Sequence, residues 1–484
     1  MIRLYPDVPF EAVSADYAVT AEGKTLRVRT ARVSAMPVNQ IFRGTQRPLD
    51  ETEIASFVSF ESDGAASMTA SVNFDVFRAC VAPASRHIAV ARRGRVLSFT
   101  LPGAGHYVLE INGVHKPLHI FVDAPEKNAP DPADPNVVYF PAGLHRAGEI
   151  ALSSHQTLYL AAGARVKGYV TVKNAEDVRI CGRGMIDCED IPRQAAHNAI
   201  DAARVKNLRV EDVMLHDAPC FALRTADCED IRIENVKIIG QWRYNSDGID
   251  LYNSRRALVK NCFVRTFDDC VVLKGGHSVN GVQLGRVTLS DIAVEDCVLW
   301  NDWGRALEIG AETVADEMTR IAFRRCEILH FLFIACDVQA CGDAHVHDIL
   351  FENINVGEPL DPQCEPRLNE IFLRPMCWLS VEKIGRVSDV TFRRIAYEGR
   401  TSAPNRFIGL DADSDIRGVH LDGVTINGEP LTAQGHPMSG FIVNEFVSGV
   451  TVDGALLDET RAHHEPDEET RKSFLIGNGA YIEI

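Results

Sequence analysis

The chain reads as an all-β protein, a right-handed parallel β-helix preceded by a small antiparallel β-sandwich. Two observations predict this. A short apolar-polar-apolar phrase recurs in fixed phase through the second part of the chain, and a different, turn-punctuated alternation is confined to the first part. Neither has the 3.6-residue periodicity of an amphipathic helix.

From Leu4 to about Val122, segments such as Thr25-Leu26-Arg27-Val28-Arg29-Thr30 and Tyr107-Val108-Leu109-Glu110-Ile111 alternate in polarity and are separated by Gly and Asn turn signals. Half-buried antiparallel strands have that pattern, and a sandwich over residues 1–126 follows. Asp123 to Asn136 carries four prolines and several charges, which stiffen and solvate a connector rather than build a core, so residues 127–136 read as a linker.

Residues 137–455 carry the repeat. Asn207-Leu208-Arg209-Val210-Glu211-Asp212-Val213, Asp230-Ile231-Arg232-Ile233-Glu234-Asn235-Val236 and Arg256-Ala257-Leu258-Val259-Lys260-Asn261-Cys262 are three copies. Asp291 to Cys297, Arg320 to Cys326 and Asp348 to Ile354 continue it, with weaker copies from Val390, Val419 and Val450. Taking Val210, Ile233, Val259, Val294, Phe323 and Phe351 as equivalent, the steps are 23, 26, 35, 29 and 28 residues. Each unit alternates as a strand with one buried face does, then turns a polar corner. A single unit cannot bury its apolar face; stacked units can, and such steps suit the coils of a parallel β-helix. β-branched content argues against leucine-rich or helical repeats. Cys262, Cys297 and Cys326 share one slot and form an expected internal ladder of thiols. Residues 456–484 read as a solvated tail or an edge over the last coil.

Composition narrows the function. Apolar residues are 46% and charged residues 24% of the chain, an ordinary globular balance. The 50 basic residues against 67 acids give a net charge of −17, a field that repels phosphate backbones and anionic membranes, so neither nucleic acid nor membrane is an expected partner. No apolar run approaches the length of a bilayer span, and the first residues lack a signal-peptide pattern, so the expected location is cytoplasmic. The 13 cysteines include no CxxC pair; a disulfide framework or zinc site is not expected, and neither is any cofactor or metal.

The chemistry-bearing residues gather in two successive coils. Asn245-Ser246-Asp247-Gly248-Ile249-Asp250 precedes Asp268-Asp269-Cys270 by 21 residues, close to one turn of the solenoid. Residues one coil apart stack at about the 4.8 Å spacing of paired strands, so three carboxylates meet on one patch. Crowding raises the pKa of at least one and leaves a shared proton. An acid beside ionised carboxylates is what glycosidic cleavage needs. The plainer alternative is a solvated turn or a Ca²⁺-holding Asp pair; the one-coil spacing favours catalysis.

On these motifs the chain from about Val137 to Ile354 resembles the polygalacturonases of glycoside hydrolase family 28 and their family 49 relatives, the dextranases and isopullulanase, which carry an N-terminal sandwich. Asn245-Ser246-Asp247 is similar to their Asn-Thr-Asp motif and Asp268-Asp269-Cys270 to their Asp-Asp-Cys motif, with Phe267 where Gly is usual. The resemblance implies an inverting hydrolase with Asp268 as general acid and Asp247 and Asp269 activating water. In Trp303-Gly304-Arg305-Ala306-Leu307-Glu308-Ile309-Gly310, Arg305 stands where the family has His, and no Arg-Ile-Lys follows, which counts against plain pectin. Arg305 either grips a substrate carboxylate or neutralises Asp268 and Asp269.

Around the patch, Asn245, Tyr252, Lys274, His277, Trp303, Arg305 and Glu308 are the expected substrate-binding residues. Trp242, Tyr244 and Trp300 are further aromatics that either stack on sugar or pack. Gly275 to Arg286 lengthens its coil and reads as a loop overhanging the site, which suits exo-action. His345 and His347 alternate on one strand face without a third ligand and are not expected to hold metal. The function expected is cleavage of an oligosaccharide, the partner being that sugar, with oligomeric state left open. The rivals are a β-helix polysaccharide lyase acting on a uronate glycan and a non-catalytic sugar-binding solenoid.

Overall fold

The computed structural model describes residues 1–8, 11–38, 47–195, 198–279, 281–376, 378–379, 381–400 and 402–457. The tail expected over residues 456–484 therefore lies, except for its first two residues, outside the described residues. Among the described residues the regular elements are strands and four short 3₁₀ turns.

The N-terminal strands run from Ile2 to Asp123 and form two sheets. One joins Ile2–Leu4, Thr52–Ser62, Leu118–Asp123, Gly105–Ile111 and Ala79–Ala82, with Arg29–Ser34 also on Thr52–Ser62; the other joins Lys24–Leu26, Tyr17–Ala21, Ala66–Val72, Val96–Leu101 and Ala91–Arg93. Most pairs are antiparallel, but Leu118–Asp123 lies parallel to Thr52–Ser62. Alternating residues meet between the sheets, Val58, Phe60, Leu109 and Ile120 from one against Val19, Met68, Leu97 and Phe99 from the other, the face-to-face packing of a sandwich.

From Val137 onward one 30-stranded sheet winds as a right-handed parallel β-helix. The equivalence read from the repeats holds residue for residue. Val210 pairs with Ile233, Ile233 with Val259, Val259 with Val294, Val294 with Phe323 and Phe323 with Phe351. Phe392, Leu421 and Val452 extend the column. These residues are fully buried or nearly so and belong to one continuous interior core.

The polar corner two residues beyond that column explains the phrase. Asn235, Asn261, Asp296, Arg325, Asn353 and Arg394 all take the left-handed conformation, with φ between 51° and 57°. Asn and Asp tolerate that region best, and the two arginines there are tied to the preceding corner, Arg325 Nε to Asp296 Oδ1 at 2.7 Å and Arg394 Nε to Asn353 Oδ1 at 2.5 Å. Cys262, Cys297 and Cys326 turn inward just after the corner and are fully buried. The flanking Cys262 and Cys326 thiols, and then burial, lift Cys297 well above the ordinary thiol range, so the ladder is unreactive packing.

The sandwich lies along the coil. Phe57, Val108 and Phe121 pack on Met214, Ile239, Phe263 and Trp300, and the buried Asp123 carboxylate receives Lys237 Nζ at 2.5 Å and Arg183 Nη1 at 3.1 Å. That seat fixes Trp300 as a structural residue, fully buried under His119 and His330.

Candidate active site

Three strands position the carboxylates: Ile249–Tyr252, Val271–Gly275 and Arg305–Thr313. Ile249 pairs with Val271, and Val271 with Leu307. The ladder continues ahead of the strands, where Gly248 N donates to Asp269 O at 2.8 Å and Cys270 N to Arg305 O at 2.9 Å. Asp247, Asp269 and Arg305 therefore occupy one position on three successive rungs, and Ser246, Asp268 and Gly304 the position before it. Gly248 turns into the coil, since a Cβ there would overlap Cys270 O and Val264. Asp247 is thereby left facing the other way.

Outside the coil, Asp247 is held by two donors. Lys274 Nζ lies 2.9 Å from Asp247 Oδ2, and Asn245 Nδ2 donates to Asp247 Oδ1 at 3.3 Å. Asn245 reaches that position from the left-handed region, φ 58°. Lys274 also stands 3.1 Å from Asp250 Oδ1. Burial opposes the ammonium's charge, but the Asp247 and Asp250 carboxylates outweigh it and hold Lys274 well above its ordinary value. Lys274 is thus a clamp between two carboxylates, and its Nζ is engaged inside the protein.

Asp268 differs from Asp247 in having no cation bonded to its carboxyl group among the described residues. It is 8% exposed, and burial, followed by the neighbouring Asp269 and Asp247 carboxylates, pushes its pKa well above the ordinary carboxylate range. Burial also raises Asp247, but there the Lys274 ammonium opposes the rise. Asp269 accepts the Arg305 backbone N–H on Oδ1 at 2.9 Å. Environment therefore separates the group into a carboxyl disposed to keep its proton and carboxylates supported by donors, the division that acid-base catalysis uses.

Gly304 makes room for this. A Cβ at that position would lie 2.6 Å from Asp268 Oδ1 and 2.5 Å from Asp269 Oδ1. Both carboxylates therefore crowd over a backbone that bears no side chain.

Arg305 has acidic partners within the protein. Its Nε lies 3.3 Å from Asp337 Oδ2, and although burial opposes its charge, Glu308, Asp269, Asp337 and Asp268 hold it above the ordinary value. Glu308 is 1% exposed and raised well above the carboxylate range, by burial first and then by Asp269. It begins a ladder that sequence reasoning missed, in which Glu308 pairs with Asp337, Asp337 with Glu370 and Glu370 with Arg406. The signal was present as successive acid-apolar steps, Leu307-Glu308-Ile309, Cys336-Asp337-Val338 and Asn369-Glu370-Ile371. Burial and then Glu370 lift Asp337 to about 7.

The expected aromatic rim is mostly inside. Tyr252 is 5% exposed and packs with Phe221 and Val279. Trp303 is 4% exposed, stacked on Phe267 with centroids 5.2 Å apart and planes 3° from parallel. The guanidinium of Arg47, from the N-terminal domain, lies 4.2 Å from the Phe267 ring centre. An Arg47–Phe267–Trp303 pile therefore backs the aspartates, which gives Phe267 its physical reason at a position where glycine was expected. Trp242 is also buried, its Nε1 donating to Asp217 at 2.8 Å.

The long segment after Lys274 forms a hairpin, Ser278–Val279 against Val282–Gln283. Val279, with Val282 and Leu284, folds back onto Ala203, Phe221 and Tyr252 of preceding coils. Asn253 Nδ2 anchors it by donating to Gly285 O at 2.7 Å. His277 stands exposed where the hairpin begins.

The described residues thus form a parallel β-helix with carboxylates on adjacent rungs, an arrangement that can be set beside known proteins. The particular likeness is as follows. Residues 149–319 match the model of glycosyl hydrolases family 28. A polygalacturonase of Chamaecyparis obtusa is 32% identical over 265 residues, covering 53% of this chain and 48% of that protein. A polygalacturonase of Juniperus ashei is 22% identical over 292 residues, 55% of this chain and 54% of that one. The chain thus spans about half the length of these curated relatives. In fold it is similar to Dex49A from Penicillium minioluteum, with a TM-score of 0.66 over 93% of this chain and 96% of that one at 12% identity.

Proposed function

We propose that this chain is an inverting glycoside hydrolase that removes units from the end of an oligosaccharide. Asp268 is the general acid that protonates the leaving oxygen; Asp247 and Asp269 orient and deprotonate the attacking water. The observation that carries this reading is the unequal environment of three adjacent carboxyls. Asp268 is buried against like charges with no bonded cation among the described residues, whereas Asp247 is bonded to Lys274 and Asp269 to a backbone N–H. Asp268 is then the carboxyl most disposed to keep a proton, while a cation supports ionisation of Asp247. Inversion is carried over from the family resemblance. Exo-action is supported by the hairpin after Lys274, which packs onto Ala203 and Phe221 of the preceding coils and would limit a long chain on that side.

The test is a screen of defined α- and β-linked oligosaccharides, uronate and neutral, with proton NMR of the freshly released anomer. Release of single end units with inverted configuration supports the proposal. Random mid-chain cuts overturn exo-action, and a retained anomer overturns the water-activating roles. An unsaturated, ultraviolet-absorbing product would instead mark a lyase, and binding without release of reducing sugar would mark a sugar-binding solenoid.

A further inference from the structure

Of the four tryptophans, three are buried and one is not. Trp378, in the connection between Arg367–Leu373 and Arg386–Tyr397, is 51% exposed. The ring is tethered at its edge. Its Nε1 donates to Glu312 Oε1 at 3.2 Å.

Glu312 ties the ring to the carboxylate patch. Leu273 pairs with Ile309 and Gly275 with Thr313, so Gly310, Ala311 and Glu312 bulge opposite the single residue Lys274. Bulges of this kind re-aim side chains beside active sites. Lys274 in turn holds Asp247 at 2.9 Å. The Glu312 charge also adds to the fields at Lys274 and Tyr252. From the same connection the buried Arg374 gives Nε and Nη2 to Gln339 Oε1 at 3.1 and 2.6 Å. The exposed indole is thus linked, through Glu312 and the bulge opposite Lys274, to the residue that holds Asp247.

Resting on the hydrolase reading above, we propose that Trp378 is a stacking platform for a pyranose ring of the substrate, and that Glu312 fixes the indole plane. The C–H face of a pyranose is apolar while its rim carries hydroxyls. An indole face with a carboxylate at its edge complements both. The platform serves a sugar neighbouring the bond that the aspartates break, so it governs affinity and substrate choice rather than the chemical step.

The experiment is intrinsic fluorescence titration of the Asp268→Asn protein, in which turnover is slowed, with a galacturonate trimer and with isomaltotriose. It is repeated in the Asp268→Asn/Trp378→Phe background, with circular dichroism as the folding control. A saturable emission change that is lost with Trp378→Phe supports the proposal; a change that survives, or none with either sugar, overturns it. In otherwise wild-type protein, Trp378→Ala should raise KM about tenfold with kcat within about twofold, Trp378→Phe should recover most of that affinity, and Glu312→Gln should fall between. An unchanged KM for Trp378→Ala on a sugar that the wild type hydrolyses overturns the platform and leaves the hydrolase reading standing. A wild type that hydrolyses nothing but shows the Trp378-dependent emission change overturns the hydrolase reading and leaves the platform standing.

Discussion

The Lys274 ammonium lies 2.9 Å from Asp247 Oδ2 and 3.1 Å from Asp250 Oδ1, buried on the rung between Asp247 and the Glu312 bulge. A cation in that position lowers the cost of ionising Asp247. Lys274→Met should therefore raise the Asp247 pKa and displace the acid limb of the kcat/KM profile to higher pH, with kcat down by about 10²-fold or more. A pH-rate profile checks this, and an acid limb that does not move would remove Asp247 from the role of base.

Asp268 owes its raised pKa to burial and to Asp269 and Asp247. Asp268→Asn should lower kcat by about 10²- to 10⁴-fold on natural linkages and abolish the basic limb of the profile. A substrate whose leaving group departs without protonation should lose far less. Equal loss on both kinds of substrate would argue that Asp268 is not the acid.

Gly304 lies where any side chain would strike Asp268 and Asp269, a Cβ there meeting their Oδ1 atoms at 2.6 and 2.5 Å. Gly304→Ala should displace at least one carboxylate, abolish turnover, and cost about 1–3 kcal/mol of stability as overpacking does. Activity assays and denaturant unfolding measure the two effects separately. Retained activity would mean that the carboxylates have room the geometry denies them.

Asp337 is raised from 3.8 to about 7, chiefly by burial. The native state then holds a proton at this site that the unfolded chain has released. The stabilising contribution of the protonated form is complete below about 4 and is lost as pH rises through about 7. Asp337→Asn should flatten the fall of unfolding free energy across that window. Denaturant melts at several pH values measure it, and an unchanged slope would assign the pH dependence to other groups.

The repeat phrase was readable because alternation sets strand phase and the corner residues set its end. Pairing Val210 with Ile233 and onward to Phe351 needed no coordinates, although coil length varies. Asp247, Asp268 and Asp269 were readable for the same reason: a one-coil separation converts sequence distance into contact. The Glu308–Asp337–Glu370 ladder carried a comparable signal in its acid-apolar pairs, but its steps of 29 and 33 residues fall among connections of uneven length. Trp303 and Tyr252 were misleading as rim residues because what covers them comes from elsewhere. Arg47 of the N-terminal domain backs the Phe267–Trp303 stack, and the Val279 hairpin folds onto Tyr252.

The amino-acid order alone determined the coil, its register and the meeting of three aspartates, since each follows from side-chain periodicity along neighbouring strands. Tertiary structure decided which carboxyl is pushed hardest toward its protonated form, which cations are already engaged and which tryptophan remains in water. Those outcomes depend on burial and on partners brought in by connections and by the N-terminal domain, and through-space desolvation and Coulomb terms leave no period in a sequence.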